Sequence, residues 1–446
     1  MIKQYAYRFR LYPTKEQQTF LSEQDGYIRF AYNFFLERSN RLYVLGVKDA
    51  YKQYSNNMIL PKLKKGFPFL KNALSQALQA SLGDLEAAYK NFFQGRAKYP
   101  KFKSKRDYNS ISLPQGFKHT GDKLSIPKLK TDIKVKVNRY KRNGRVVITE
   151  NIKSVSIAKT RTGKYYVNLL VEKEFIPLPK TDKVAGIDLG LKDYATLTTG
   201  TSNTDKVSYR EANPKYLAKS QKRLVRLQRQ LDRKQHRRGR NDNKCASKSY
   251  KKFTATVSKL HEHILNQRRD FLHKLSSRTV SDSQVIVLED LNIKGMVKNR
   301  HLSKSISDAG WGMFREFALY KADWYGRDVH KVNRFYPSSK ICSNCGHIKH
   351  DLKLSERSWV CPKCGTLHDR DENASNNLFL EGLKNVGRIR SRTITKPTAL
   401  CPMKWPEPSV EISLATPAEY APAGIQSTGY SRHTSKQEAA ASLSGR

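Results

Sequence analysis

Cys342-x-x-Cys345 and Cys361-x-x-Cys364, with 15 residues between the pairs, tie four points of the chain to one place. This is the spacing of a four-cysteine zinc ribbon, in which each knuckle presents two thiolates from a tight turn. Gly346 and Gly365, each directly after the second cysteine of its pair, permit the backbone reversal. Four thiolates complete a tetrahedron and leave no open position, so a zinc ion held here is structural, not catalytic. Paired knuckles also point to metal in a reducing compartment, not to disulfides. His347, His350 and His368 stand close enough to replace a ligand, although a lone histidine beside a ribbon is more often a surface residue. Cys245 and Cys401 have no partner in the pattern.

Directly behind the second knuckle comes a burst of acid, Asp369, Asp371 and Glu372. It sits in a chain of 446 residues with 84 Lys and Arg against 39 Asp and Glu, a formal charge of +45. The excess is spread over most of the length, which is the electrostatic footprint of a nucleic-acid binder. No run of about 18 apolar residues occurs, so no transmembrane helix is expected. The N-terminus, MIKQYAYRFRLYP, alternates and carries charge, unlike a signal peptide. These features predict a cytoplasmic, nucleoid-associated protein of two to four domains.

Hydropathy period divides the chain. Tyr5, Tyr7, Phe9 and Leu11 alternate with Ala6, Arg8 and Arg10, which predicts a half-buried strand. Thr14 and Gln17 form a capping box for a following helix, and helical patterning runs to about residue 94, most clearly over 69–93. From about 110 to 176 the period returns to two, with turns at Asn143–Gly144 and Thr162–Gly163. One strand, a helical insert, then more strands predicts a small β-barrel interrupted by helices. A new region opens at VAGIDLG (184–190), and 215–275 reads as a helical hairpin with Leu217, Leu224, Leu227 and Leu231 on one stripe. Segment 215–240 holds eleven Lys or Arg against Asp232 alone, which favours phosphate contact over a merely solvated face. QVIVLEDL (284–291) is a buried-type strand ending in acid, and 309–326 an amphipathic helix. The 386–446 tail is rich in Pro, Ser, Thr and Ala and predicts disorder.

The acids suggest chemistry. Asp188 lies inside an apolar strand, where a charge is costly unless paired or metal-bound. Glu289 and Asp290 end the QVIVLED strand, and Asp369, Asp371 and Glu372 precede a helix. If the two strands are neighbours and the helix crosses them, three carboxylates converge, an arrangement that holds two Mg²⁺ ions for phosphodiester hydrolysis. Each acid has a plainer role open to it. Asp193 faces the other way if the strand continues, Asp290 caps the segment after its strand, and Asp369 initiates the helix. Helical periodicity favours Asp371 over Glu372 only weakly, because Glu372 shares a stripe with Phe379 and Leu383.

Asp188 in GIDLG, Glu289 in VIVLEDL and Asp371 in DRDEN, with a zinc ribbon just before the last, resemble the RuvC-like nuclease of the TnpB (OrfB) family. These are transposon-encoded RNA-guided DNA endonucleases related to type V CRISPR effectors. YRFRLYPTKEQ and NFFQGRAKYPKFKSK are similar to that family too, and the resemblance covers roughly residues 1–385. It implies an α+β multidomain fold. A wedge-type β-barrel (1–13 and 107–180) carries a helical recognition insert (14–106). A RuvC-like nuclease of RNase H fold (181–385) carries the zinc ribbon (337–366). It also implies that a guide RNA from the transposon end pairs with double-stranded target DNA, and that one site, with Asp188, Glu289 and Asp371 as Mg²⁺ ligands, cuts both strands.

In such a protein base pairing reads most of the target, and the protein reads only a short flanking motif. Ser75, Gln76 and Gln79 give the 69–93 helix a polar side suited to base edges, and Tyr5, Arg8 and Arg10 are candidates for backbone contact. A solvated polar face explains each equally well. Lys98, Lys101, Lys103, Lys105 and Arg106 form a basic run spaced by Tyr99 and Phe102, and Arg226, Arg229 and Arg233 extend the basic surface; both suit phosphate. Other functions remain open: a guided repressor without cleavage, a transposase or junction resolvase on the same fold, or a ribosomal-type zinc-ribbon RNA binder. The last leaves the three acids unexplained. No dimer is required.

Overall fold

The computed structural model describes residues 1–47, 49–105, 110–136, 151–236, 247–353 and 355–391. Arg106, the Asn143–Gly144 turn, Cys245, Cys401 and the tail beyond residue 391 lie outside the described residues.

β1 (Ile2–Tyr12) buries Phe9 and Leu11 on one side of its alternation. The expected capping box ends it. Thr14 Oγ1 accepts from the Gln17 N–H at 3.3 Å, and Gln17 Oε1 accepts from the Thr14 N–H at 3.0 Å. α1 (Lys15–Val44), α2 (Gln53–Gly66) and α3 (Ser75–Phe93) follow. The helix expected over 69–93 is broken, with a 3₁₀ turn at Pro68–Asn72 before α3. The break persists because its backbone groups find partners elsewhere. Gln24 Oε1 accepts from the Leu74 N–H at 2.8 Å, and Lys128 Nζ donates to the carbonyls of Lys71 and Ala73 at 2.6 and 2.8 Å.

β2 (Ser110–Leu113), β3 (Lys118–Thr120), β4 (Lys123–Ser125), β5 (Ile133–Lys136), β6 (Ile152–Lys159) and β7 (Tyr165–Glu174) join β1 in one antiparallel sheet. Its order is β2-β6-β7-β1-β5-β4-β3, so the described residues of the expected β-barrel form a half-barrel sheet. The Thr160–Lys164 turn joins β6 to β7, with Gly163 at φ 79°. Helices and sheet share one core: Leu36 of α1 and Leu78 and Leu85 of α3 pack with Phe9, Leu11, Val167 and Leu169.

The second sheet contains β8 (Val184–Leu189), β9 (Asp193–Gly200), β10 (Val207–Ala212), β11 (Val285–Glu289) and β12 (Asp328–Val332). The order is β10-β9-β8-β11-β12, with β8, β11 and β12 parallel and β9 running against both its neighbours. Between β10 and β11 stand α4 (Tyr216–His236) and α5 (Lys248–Asp282), a hairpin zipped by Leu224, Leu227 and Leu231 against Val257, Leu260 and Ile264. α6 (Ile293–Met296), α7 (Ser303–Ala309) and α8 (Trp311–Tyr325) connect β11 to β12. α5 and α8 cover one sheet face through Leu272, Leu275, Phe314 and Phe317. A short hairpin, β13 (Ser358–Val360) and β14 (Leu367–Asp369), leads into α9 (Arg370–Ser391). α9 covers the other face, with Leu378 and Phe379 against Val184, Val285 and Val287.

The two sheets are joined through α8. Lys3 Nζ reaches Asp323 at 2.9 Å, and Tyr5 packs against Trp324 with ring centroids 5.3 Å apart. No helix among the described residues is long and apolar enough to cross a membrane.

Candidate active site and metal centre

β8 and β11 are parallel neighbours in register Leu288↔Ile187, so the next residue of each strand brings Glu289 level with Asp188 at their carboxyl ends. In open α/β sheets this end of neighbouring parallel strands is where ligands bind. α9 delivers the third acid. It crosses β8 with almost no gap at Gly186, where a Cβ would stand 2.2 Å from the Phe379 backbone N and 2.4 Å from the Ser375 carbonyl O. The glycine of GIDLG is there for this approach, and a hydroxyl pair, Thr198 Oγ1 and Ser375 Oγ at 2.8 Å, fixes the same crossing from β9.

The three acids feel one another. Burial, then the charges of Glu289 and Asp371, hold the Asp188 carboxyl well above the usual carboxylate range, although Arg370 opposes this. Burial also raises Glu289, whose Oε1 accepts a 2.5 Å hydrogen bond from Ser338 Oγ. Among the described residues no three carboxylates bring ligand atoms within 4.8 Å of one another. The carboxyls of Asp188 and Glu289, whose ionisation burial disfavours, fit a divalent cation, because the cation removes the penalty.

The alternatives for the other acids resolve individually. Asp290 turns away from the site to Arg334, Arg315 and Lys331 at 3.1, 3.8 and 3.9 Å. Asp369 starts α9, accepting from the N–H groups of Asp371 and Glu372, both at 3.1 Å. It also takes Arg210 of β10 at 2.8 Å, and Asp193 lies 3.8 Å from the same arginine. Glu372 is exposed, whereas Asp371 is half-buried and 3.5 Å from Arg357.

The four cysteine sulfurs all lie within 4.8 Å of one another, with Cys342–Cys364 and Cys345–Cys361 at 3.6 Å. Tetrahedral zinc with Zn–S near 2.3 Å needs sulfurs about 3.8 Å apart, so the set fits the metal. Gly346 and Gly365 have φ of 76° and 71°, as the knuckle turns require. His368 is buried with Nε2 3.0 Å from Cys342 Sγ, beside the four sulfurs. Asn373 and Asn377 of α9 bolt the ribbon to the site. Both donate to the Ile341 carbonyl, at 2.6 and 2.7 Å, and Asn377 also donates to the Ser338 carbonyl at 2.7 Å.

The other predicted contact residues divide. Arg226, Arg229 and Arg233 are exposed along the solvent face of α4, opposite its leucines. Lys98, Lys101 and Lys105 are exposed, whereas Lys103 lies over the Tyr32 ring at 4.1 Å. Tyr5 is packed into the junction with α8, Arg8 lies 4.2 Å over Tyr166, and Arg10 donates to the Tyr165 carbonyl at 3.4 Å. Ser75 is exposed and accepts from Lys64 Nζ at 2.8 Å; Gln76 and Gln79 are half-buried on α3. Sequence reasoning missed Ser338, Arg357, Arg210 and the Asn373–Asn377 pair. The four-residue spacing of the two asparagines on one helix face was the available signal.

Comparisons with known proteins show what the chain is similar to. Residues 166–300 match the OrfB_IS605 family model, described as probable transposase. Residues 311–378 match the Cas12f1-like TNB domain, and residues 1–46 match the OrfB_IS605 helix-turn-helix domain. In this chain the 1–46 segment contains β1 and one 30-residue helix. Two relatives are named "Putative RNA-guided DNA endonuclease". One, from Streptomyces pristinaespiralis, is 35% identical over 381 residues, 85% of this chain and 89% of the relative. The other, InsQ of Escherichia coli (strain K12), is 32% identical over 396 residues, 84% of this chain and 92% of the relative. A Cas12f1–sgRNA–target DNA complex contains a chain of similar fold, with TM-score 0.51 at 13% identity, covering 84% of this chain and 98% of that one.

Proposed function

The chain belongs to the TnpB (OrfB) family of RNA-guided DNA endonucleases, and on that premise we propose that it cuts DNA at Asp188, Glu289 and Asp371. Its partners are a guide RNA and target DNA, and its chemistry is phosphodiester hydrolysis. The observation that carries the site is the register of β8 and β11, which brings Asp188 and Glu289 level where α9 crosses at Gly186.

In this reading residues 181–385 form a RuvC-like nuclease of RNase H type, 1–13 and 107–180 the wedge, and 14–106 the recognition insert. Asp188, Glu289 and Asp371 hold Mg²⁺. When bound, such ions supply an activated water and stabilise the leaving oxygen of the phosphodiester. Ser338 orients the Glu289 carboxylate. Asp369 holds the first turn of α9, and with it Asp371, against β10 through Arg210. Cys342, Cys345, Cys361 and Cys364 hold Zn²⁺, and the asparagine pair of α9 transmits that rigidity to the site. The exposed arginines of α4 and the lysines of 98–105 take phosphates, which carry no sequence information. Ser75, Gln76 and Gln79 are the candidates for reading the flanking motif.

The test is to purify the protein from cells carrying its native transposon end, sequence the RNA that accompanies it, and assay Mg²⁺-dependent cleavage of a matching target. One discrete RNA, cleavage by the wild type, and loss of cleavage with retained RNA and target binding in Asp188→Ala are expected. A heterogeneous mixture of cellular RNA would overturn the guided reading. Equal cleavage by Asp188→Ala would remove Asp188 from the site.

A further inference from the structure

Phe335 is the most exposed of the large hydrophobic side chains among the described residues, at 88%. A single exposed phenylalanine is ordinary on a protein surface. This one stands on a loop anchored at both ends to the carboxyl end of β11. On one side Arg334 binds the Asp290 carboxylate at 3.1 Å and the Asp290 carbonyl at 3.3 Å. On the other, Ser338 donates to Glu289 Oε1 at 2.5 Å, and its own carbonyl accepts from Asn377 at 2.7 Å. Between the anchors Asn333 Oδ1 accepts from the Phe335 N–H at 2.9 Å, and the Asn333 carbonyl accepts from the Tyr336 N–H at 3.0 Å. The loop is therefore held without help from the ring, which is left to project.

Two facts say what the ring meets. Three Cα steps, at most about 11 Å, separate Phe335 from Ser338, which touches Glu289, so the loop that carries the ring ends at the acids. Around Asp290 stand three cations, Arg315, Lys331 and Arg334, so the base of the loop keeps a positive excess beside the acids. Cations near an exposed aromatic are how proteins hold unpaired strands, with phosphates on the charges and a base on the ring.

We propose that Phe335 is the stacking platform for an unpaired base of the DNA strand being cut. The inference rests on the nuclease reading above and adds the contact that seats the strand. Stacking tolerates every base, so the contact positions the strand without selecting its sequence.

The experiment uses the full chain with its copurified RNA and a single-stranded DNA carrying 2-aminopurine beside the cut position. Phe335→Ala, Phe335→Leu and Phe335→Trp are compared. The DNA concentration giving half-maximal Mg²⁺-dependent cleavage should rise about tenfold in the alanine and leucine variants and stay near wild type in the tryptophan variant. Base quenching on binding with Ca²⁺ in place of Mg²⁺, which needs no turnover, should be lost in alanine and leucine and kept in tryptophan. The ring buries almost nothing, so melting should be unchanged and folding does not confuse the result. Wild-type half-saturation and quenching in Phe335→Ala would overturn the proposal. Absence of cleavage in the wild type would overturn the nuclease reading instead, and the quenching measurement would still decide the stacking.

Discussion

Gly186 and Phe379 touch backbone to backbone: a Cβ on the glycine would stand 2.2 Å from the Phe379 nitrogen and 2.8 Å from its Cα. Neither atom can swing aside as a side chain would. Gly186→Ala must therefore lift α9 from β8, and with it Asp371 from Asp188. Overpacking of this kind costs about 1–3 kcal/mol or more. We expect a lower melting temperature and cleavage reduced at least a hundredfold, in thermal unfolding and a Mg²⁺-dependent cleavage assay. A fully active Gly186→Ala would mean that α9 does not set the site.

Asp188 is strained electrostatically when no metal is bound. Its raised carboxyl holds a proton to higher pH than it does in the unfolded chain, so the metal-free native state gains on acidification and loses as pH rises through the folded value. Asp188→Asn removes that loss. Its metal-free melting temperature at pH 7 should be a few degrees higher than wild type, about the shift that 1 kcal/mol produces. Added Mg²⁺ should raise the wild-type melting temperature but not the variant's, and the wild-type Mg²⁺ affinity should fall as pH drops. Scanning calorimetry with and without Mg²⁺ reads all three.

Arg210 supports Asp371 at one remove. It binds Asp369 at 2.8 Å, and Asp369 accepts the first free N–H groups of α9. Arg210→Ala should lower the cleavage rate about tenfold while leaving DNA half-saturation within twofold, and Arg210→Lys should recover part of the rate. If rate and half-saturation change together, Arg210 touches DNA instead of positioning the helix.

Removal of one zinc ligand should reach the nuclease site. Elemental analysis of the wild type should find about one zinc per chain, and Cys361→Ser should lose it and expose the 337–385 region to proteolysis. Because Asn373 and Asn377 hold the Ile341 carbonyl, cleavage should fall as well. Unchanged zinc content and melting would remove the ribbon.

His273 predicts an acid-sensitive interface between α5 and α8. It stacks on Phe317 at 3.9 Å, and burial, then the neighbouring Lys321 and Arg269 charges, push its imidazole down to about 4. The unfolded chain binds this proton near pH 6.5, so the native state loses stability as pH falls from about 6.5 to 4. His273→Phe should flatten that window of the pH–melting curve. An unchanged slope would assign the acid sensitivity to other groups.

Much of this protein is written locally. The capping box at Thr14, the leucine stripe of α4, the alternation of β1 and the four cysteines each follow from short-range spacing, since helix and strand periods and metal coordination are fixed by neighbouring residues. Strand and helix contexts put forward a handful of acids, and the family resemblance chose Asp188, Glu289 and Asp371 among them. Tertiary structure decided what spacing cannot express. It gave Asp290 three cations and left Asp371 half-buried where Glu372 is exposed. It assigned Gly186 to helix contact, broke the 69–93 helix through Gln24 and Lys128, and drew Tyr5 into a core junction. Each outcome depends on a partner distant in sequence, and a charge or backbone amide takes its role from whichever partner the fold brings within reach.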